Sequence, residues 1–172
     1  MSHRPDRGRS MIWLVDGRSG AGKTTWARRM GAALGWPVAH LEDAYPGWGG
    51  LAAGSAAVAA DMLDPARPGF RRWDWFARDF AGDWAGWVDL DPARPLIIEG
   101  CGAVTAANIA AARRFGEVWP IWVELDAATR HARAMARDEH FAGHWAMWAA
   151  QEDAHIAAHD PVGLAGWIVR PG

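Results

Sequence analysis

The segment Asp16-Gly17-Arg18-Ser19-Gly20-Ala21-Gly22-Lys23-Thr24-Thr25 constrains this chain more than any other. It fits the pattern G-x-x-x-x-G-K-[ST] at Gly17, Gly22, Lys23 and Thr24. The apolar run Met11-Ile12-Trp13-Leu14-Val15 before it reads as a buried strand, and Trp26-Ala27-Arg28-Arg29-Met30 after it reads as a helix running to about Leu34. Strand, glycine-rich turn and helix in that order make a phosphate loop. The glycines let consecutive backbone N–H groups turn inward onto phosphate oxygens, and the following helix adds the positive end of its dipole. Gly17, Ser19, Gly20, Ala21, Gly22, Lys23, Thr24 and Thr25 are the candidate triphosphate contacts. Lys23 is placed to reach the β- and γ-phosphates, and the Thr24 hydroxyl to bind Mg²⁺.

The 172 residues suit one domain with a substantial core, at 51% hydrophobic and 22% charged. A net charge of −2 gives no global pull toward nucleic acid or an anionic membrane, so the phosphate site must be made locally. No apolar run approaches a membrane span, and the polar stretch Ser2–Ser10 lacks a signal-peptide core and reads as a frayed tail over residues 1–10. Cys101 is the single cysteine, so no internal disulfide can form, which suits a cytoplasmic protein. The lone asparagine, Asn108, is followed by Ile109-Ala110, which excludes the guanine-reading motif N-K-x-D and points to ATP as the nucleotide.

Along the chain, strands are expected at Val38–Leu41, Leu96–Ile98, Val118–Leu125 and Trp167–Val169, with the usable part of the fourth strand starting after Pro120. Helices are expected at Leu51–Leu63, at about Trp75–Val88 from the spacing of Phe76, Phe80, Trp84, Trp87 and Val88, at Thr105–Arg114, at Ala127 to about Glu139 with Asp126 as N-cap, and at His144–His159. This alternation predicts a parallel sheet with helices on both faces, whose ligands bind beyond the carboxyl ends of the strands.

Four groups of residues carry chemistry at that edge. Glu42 and Asp43 end the second strand; either could take a proton from an acceptor hydroxyl, and Asp43 could help hold Mg²⁺. Glu99 ends the third strand and fits metal duty. Arg130, Arg133 and Arg137 share a helix face, as either a phosphate-closing lid or an ordinary solvated surface. Arg71-Arg72-Trp73-Asp74-Trp75 could read a polar substrate with a flat ring; Arg72 and Asp74 are favoured for that role, and Trp75 for packing. The pairs His140/His144 and His155/His159 have helical zinc spacing but lack the H-E-x-x-H acid and a nearby cysteine, which argues against zinc. Cys101 reads as a small buried filler, and Trp145 and Trp148 as core.

The phosphate loop, Leu41-Glu42-Asp43-Ala44-Tyr45, Ile98-Glu99-Gly100 and Arg130-x-x-Arg133-x-x-x-Arg137-Asp138 together resemble the uridine kinase group of P-loop small-molecule kinases, in order and spacing over residues 11–140. The segments Tyr45-Pro46-Gly47-Trp48, Arg71–Trp75 and Glu99-Gly100-Cys101-Gly102 resemble a compact actinobacterial branch of uridine-kinase-like ATP-binding proteins. The resemblance implies a P-loop NTPase fold over residues 11–172, with a five-stranded parallel sheet in the order 2-3-1-4-5. It implies a substrate-binding insert at about 66–90 and a lid at about 127–143. It further implies transfer of the γ-phosphoryl group of ATP, with Mg²⁺, to a hydroxyl of a small molecule. Glu42 would be the base because the group's acid stands three residues before its tyrosine, with Asp43 the alternative. Glu99 would assist Mg²⁺ or the acceptor, and Arg133 and Arg137 would clamp phosphates. Tyr45, Arg72, Trp73, Asp74 and Glu99 are the candidate acceptor contacts, with the adenine placed near residues 160–166. The chain is shorter than typical uridine kinases and lacks their nucleoside-binding segment, so other acceptors stay open. An ATP-dependent switch without an acceptor and an antibiotic-modifying phosphotransferase are the other readings. Monomer and homodimer both stay open.

Overall fold

The computed structural model describes residues 10–137 and 139–171, without the Glu139 side chain. The expected tail, save Ser10, lies outside these residues, as does Asp138. Ser10 itself opens the first strand, β1 (Ser10–Asp16).

Five strands form one parallel sheet: β1, β2 (Val38–His40), β5 (Leu96–Glu99), β6 (Gly116–Val123) and β7 (Trp167–Val169). Their spatial order is β2-β5-β1-β6-β7. Counted among the parallel strands alone, this is the expected order 2-3-1-4-5. Alternation along β1 divides the core between the two faces. Ile12 and Leu14 pack with Leu96 and Ile98, whereas Trp13 and Val15 pack with Ile97, Ile121 and Val123. Helix α1 (Lys23–Leu34) covers the second face through Ala27, while α2 (Leu51–Ala57), α4 (Ala106–Arg113) and α7 (Trp145–His159) cover the first. Fully buried side chains such as Ile12, Leu14 and Ile98 each contribute about 1.5–3 kcal/mol of transfer free energy.

Much of the tryptophan content is structural. Trp13 stacks on Trp26 and Trp119 at centroid distances of 5.8 and 5.5 Å, meets Trp36 edge-on at 5.2 Å, and Trp119 stacks on Trp167 at 5.1 Å. Such pairs add to area burial by about 0.5–1.5 kcal/mol each.

Two expectations fail. The predicted helix over 75–88 is instead an antiparallel hairpin of β3 (Gly69–Asp74) and β4 (Asp83–Asp89), joined through a single turn, α3 (Ala77–Phe80). The aromatic spacing of four, four and three also arises from a strand–turn–strand segment rich in Trp and Phe. Gly82 decides against the helix: its φ is +78°, and a Cβ there would lie 2.5 Å from the Trp73 indole nitrogen. The second failure concerns Pro120, which lies inside β6, paired with Leu14 of β1. Its carbonyl accepts from Gly166 N, so its nitrogen faces β7, and β7 begins only opposite Ile121. No ladder bond is lost there.

The remaining helices are α5 (Ala127–Arg137), α6 (Glu139–Ala142) and α8 (Pro161–Leu164). Asp126 caps α5, accepting from Thr129 N at 2.9 Å. Among the described residues no helix is long and apolar enough to cross a membrane.

Candidate functional site

The carboxyl ends of β1, β2, β5 and β6 share one edge of the sheet. The phosphate loop leaves β1 there, and Glu42 and Asp43 follow β2 on a 3-10 turn (Leu41–Ala44). Glu99 closes β5. These segments enclose one cleft of about 890 Å³.

The loop is held in shape from behind. Gly20 has φ +79°, and a Cβ on it would stand 2.2 Å from the Arg130 carbonyl oxygen, so only glycine fits. Asp16, buried at the end of β1, accepts from Gly17 N at 2.7 Å, Gly102 N at 3.0 Å and Val104 N at 3.0 Å, and lies 3.1 Å from His155 Nε2. One carboxylate thereby ties the loop to the segment after β5 and to α7. Glu152, also from α7, accepts from Ser19 N at 2.6 Å and from Arg18 Nε at 3.1 Å. Neither Asp16 nor Glu152 stands out in the sequence as a site residue. The available signals were an acid ending an apolar strand and an acid on the apolar face of a helix, beside Trp145 and Trp148.

Lys23 is buried, and its ammonium donates to the Arg18 carbonyl at 3.0 Å and to Cys101 Sγ at 3.4 Å. Burial pulls its pKa down, the Cys101 sulfur and the carboxylates of Glu99, Glu152 and Asp16 pull it up, and the net shift is upward. Lys23 therefore stays charged. The Cys101 thiol is pushed up to about 12, chiefly by burial, and is neutral beside that ammonium. Thr24 donates through Oγ1 to Glu99 Oε1 at 3.0 Å, and the same carboxylate oxygen is hydrogen-bonded to His40 Nδ1. That bond raises the His40 pKa above its ordinary 6.5 against the opposing effect of burial. A hydroxyl and a carboxylate, both hard oxygen donors, meet where a metal would bridge the loop and a bound triphosphate. So sparse a protein donor set fits Mg²⁺, which keeps several waters and phosphate oxygens as ligands. Among the described residues no cluster of three or more His, Cys, Asp or Glu could hold a metal by itself.

The other expected residues divide. Glu42 and Asp43 both line the cleft; Glu42 is exposed and Asp43 half-buried. Arg133 and Arg137 line it as well, on the exposed side of α5. Arg130 does not: it is buried, donating to the Leu125 carbonyl at 3.1 Å and the Ser19 carbonyl at 3.4 Å, and so braces the loop. Tyr45 reaches the cleft wall but is 4% exposed, and its hydroxyl donates to the Cys101 carbonyl at 2.7 Å.

Arg72, Trp73 and Asp74 do not line the cleft. Arg72 is exposed, Trp73 packs edge-on against Trp84 at 5.1 Å, and Asp74 accepts from Phe76 N at 3.0 Å. Trp75, just past the end of β3, and the turn residues Phe76 and Phe80 line the cleft instead. Residues 160–166 do not reach the cleft either, although Pro171 does. His144 stacks on Trp48 at 4.1 Å, and His155 is engaged with Asp16.

No protein-family model matches the chain, and no curated protein does. Solved structures do. A possible uridine kinase from Bacillus stearothermophilus superposes with a TM-score of 0.54 at 17% identity, over 94% of this chain and 88% of that one. The chain has the P-loop NTPase fold. An uncharacterized protein from Eubacterium ventriosum (TM-score 0.49, 9% identity, 94% and 87% covered) and a gluconokinase from Sinorhizobium meliloti (0.45, 14%, 76% and 66%) are looser likenesses and carry no argument.

Proposed function

We propose that the protein is an ATP-dependent kinase that transfers a γ-phosphoryl group to a hydroxyl of a small molecule. One observation carries this reading. A single cleft has the phosphate loop on one wall, a half-buried carboxylate on another, the Thr24–Glu99 oxygen pair between them, and Arg133 and Arg137 at its side. The cleft runs past the phosphate loop to Trp48, Trp75 and Phe76, which favours a bound acceptor over a purely hydrolytic switch.

In this mechanism the loop amides and Lys23 bind the β- and γ-phosphates. Thr24 and Glu99 would hold Mg²⁺, which would supply positive charge to the phosphates when bound. Asp43 takes the proton from the acceptor hydroxyl. The acceptor oxygen bonds to the γ-phosphorus as the bond to the bridging oxygen breaks, and ADP leaves. Arg133 and Arg137 offset the charge on the transferring group. Asp43 is preferred over Glu42 because it is half-buried and its charge acts on His40 beside Glu99. A supply of ATP and a single, unpaired cysteine suit a cytoplasmic setting.

Lys23→Met tests the reading, since methionine keeps the buried stem and removes the charge. ADP release driven by an acceptor should fall at least about a hundredfold while the melting temperature holds within a few degrees. Unchanged turnover, or wild-type ADP release indifferent to every acceptor in a metabolite panel, would overturn it.

A further inference from the structure

The half of the cleft away from the phosphate loop has an unusual lining. Among the described residues, the lysine and arginines lining the whole cleft, Lys23, Arg29, Arg133 and Arg137, come from α1 and α5, the elements flanking the loop. No asparagine or glutamine side chain lines it. The remaining wall is built of rings: Trp48 lies against Trp75 at 5.0 Å and Phe141 at 5.7 Å, Phe76 meets Phe80 edge-on at 5.7 Å, and the imidazoles of His144 and His140 stack on Trp48 at 4.1 Å and on Phe80 at 5.2 Å.

The Phe76–Phe80 pair is 77% and 60% exposed, whereas Phe141, which also lines the cleft, is 5% exposed. The turn carrying the pair is left-handed at three consecutive non-glycine residues, Arg78, Asp79 and Phe80, with φ of 51°, 52° and 67°. L-residues avoid that conformation, and its consequence here is two apolar rings held side by side at the cleft. Trp75 Nε1 donates to the Glu42 carbonyl at 2.9 Å, fixing this tip to the segment that carries Glu42 and Asp43. An acceptor at this tip therefore meets ring faces, the imidazoles of His140 and His144 and two carboxylates, with no side-chain amide to read a polar ring edge.

Resting on the kinase reading, we infer that the acceptor is an alcohol on a flat, largely apolar ring system, bearing no phosphate or carboxylate, seated between Phe76–Phe80 and the Trp48–Trp75–Phe141 wall. Ring faces supply the binding area. Glu42 and Asp43 turn away anions and leave the hydroxyl beside the base. Sugar acids, nucleotides and pyrimidine nucleosides fit this surface poorly.

Calorimetry on the full chain, saturated with Mg²⁺ and a non-hydrolysable ATP analogue, tests this with 2-naphthalenemethanol, its ring-carboxylated analogue and uridine as probes. Saturable binding of the neutral alcohol is expected, with at least tenfold weaker binding of the carboxylate and of uridine. The double variant Phe76→Ser/Phe80→Ser should weaken the neutral alcohol at least tenfold and leave the ATP analogue within twofold. Equal binding of the carboxylate, tighter binding of uridine, no heat from the neutral alcohol, or no effect of the double variant would overturn the inference while leaving the kinase reading standing. Failure of the ATP analogue itself to bind would instead overturn that reading.

Discussion

Glu152 accepts a hydrogen bond from the backbone nitrogen of Ser19 at 2.6 Å, across 133 positions of sequence. A carboxylate from α7 thus rests on an amide of the phosphate loop, and its second oxygen pairs with Arg18, which also reaches Asp153 at 2.7 Å. The loop's shape is set partly by its own glycines and partly by this brace.

Replacing Glu152 by glutamine keeps the shape and removes the charge. The variant should lose about 2 kcal/mol of stability, less than for a fully buried pair because Arg18 is partly exposed. KM for ATP should rise several-fold and KM for the acceptor should not. Steady-state kinetics with thermal melts check this; a rise confined to the acceptor would remove Glu152 from the loop's support.

The two acids after β2 should behave differently. Asp43→Asn should lower kcat about 10²–10⁴-fold, the usual worth of a positioned base. Glu42→Gln should stay within a few-fold of wild type, because its side chain is exposed. Rate measurements at saturating ATP and acceptor decide it, and the opposite ranking would transfer the role to Glu42.

His40 ties stability to pH. Its hydrogen bond to Glu99 raises its native pKa above 6.5. A raised value in the folded state means the contribution is fully present below about pH 6.5 and is lost as pH rises through the native pKa. The nucleotide-free protein should therefore melt lower at pH 8 than at pH 6, and His40→Gln should flatten that slope. Parallel melting curves for variant and wild type across this range would refute the link.

Cys101 should be inert in the native protein. Its thiol rises from 9.0 to about 12 on burial, so its thiolate is about a thousandfold scarcer than in the unfolded chain. Alkylation by iodoacetamide at pH 8 should be slower by at least about that factor until denaturant is added. Rapid labelling of the folded protein would show that the Lys23 ammonium stabilises a thiolate after all.

The sequence carried the parallel sheet and its strand order because both rest on local signals. Apolar runs of strand length alternate with helical segments, and each parallel strand that builds the site ends at, or within two residues of, an acid. The phosphate loop was legible for the same reason, since its glycines, Lys23 and Thr24 are contiguous. The hairpin at 69–89 was not. In a segment so rich in aromatics, helical and extended periodicities overlap, and Gly82 reveals its purpose only when the Trp73 ring is known to lie over it.

What the chain by itself determined is therefore the loop, the sheet and the edge where ligands bind, since these follow from neighbours in sequence. Only the tertiary structure decided that Asp16 and Glu152 brace the loop, that Arg130 supports it rather than facing the cleft, and that Trp75, Phe76 and Phe80 line the cleft while Arg72, Trp73 and Asp74 do not. Each of those outcomes depends on which side chain a distant element buries or leaves open. That is set by packing between elements distant in sequence, and spacing along the chain does not encode it.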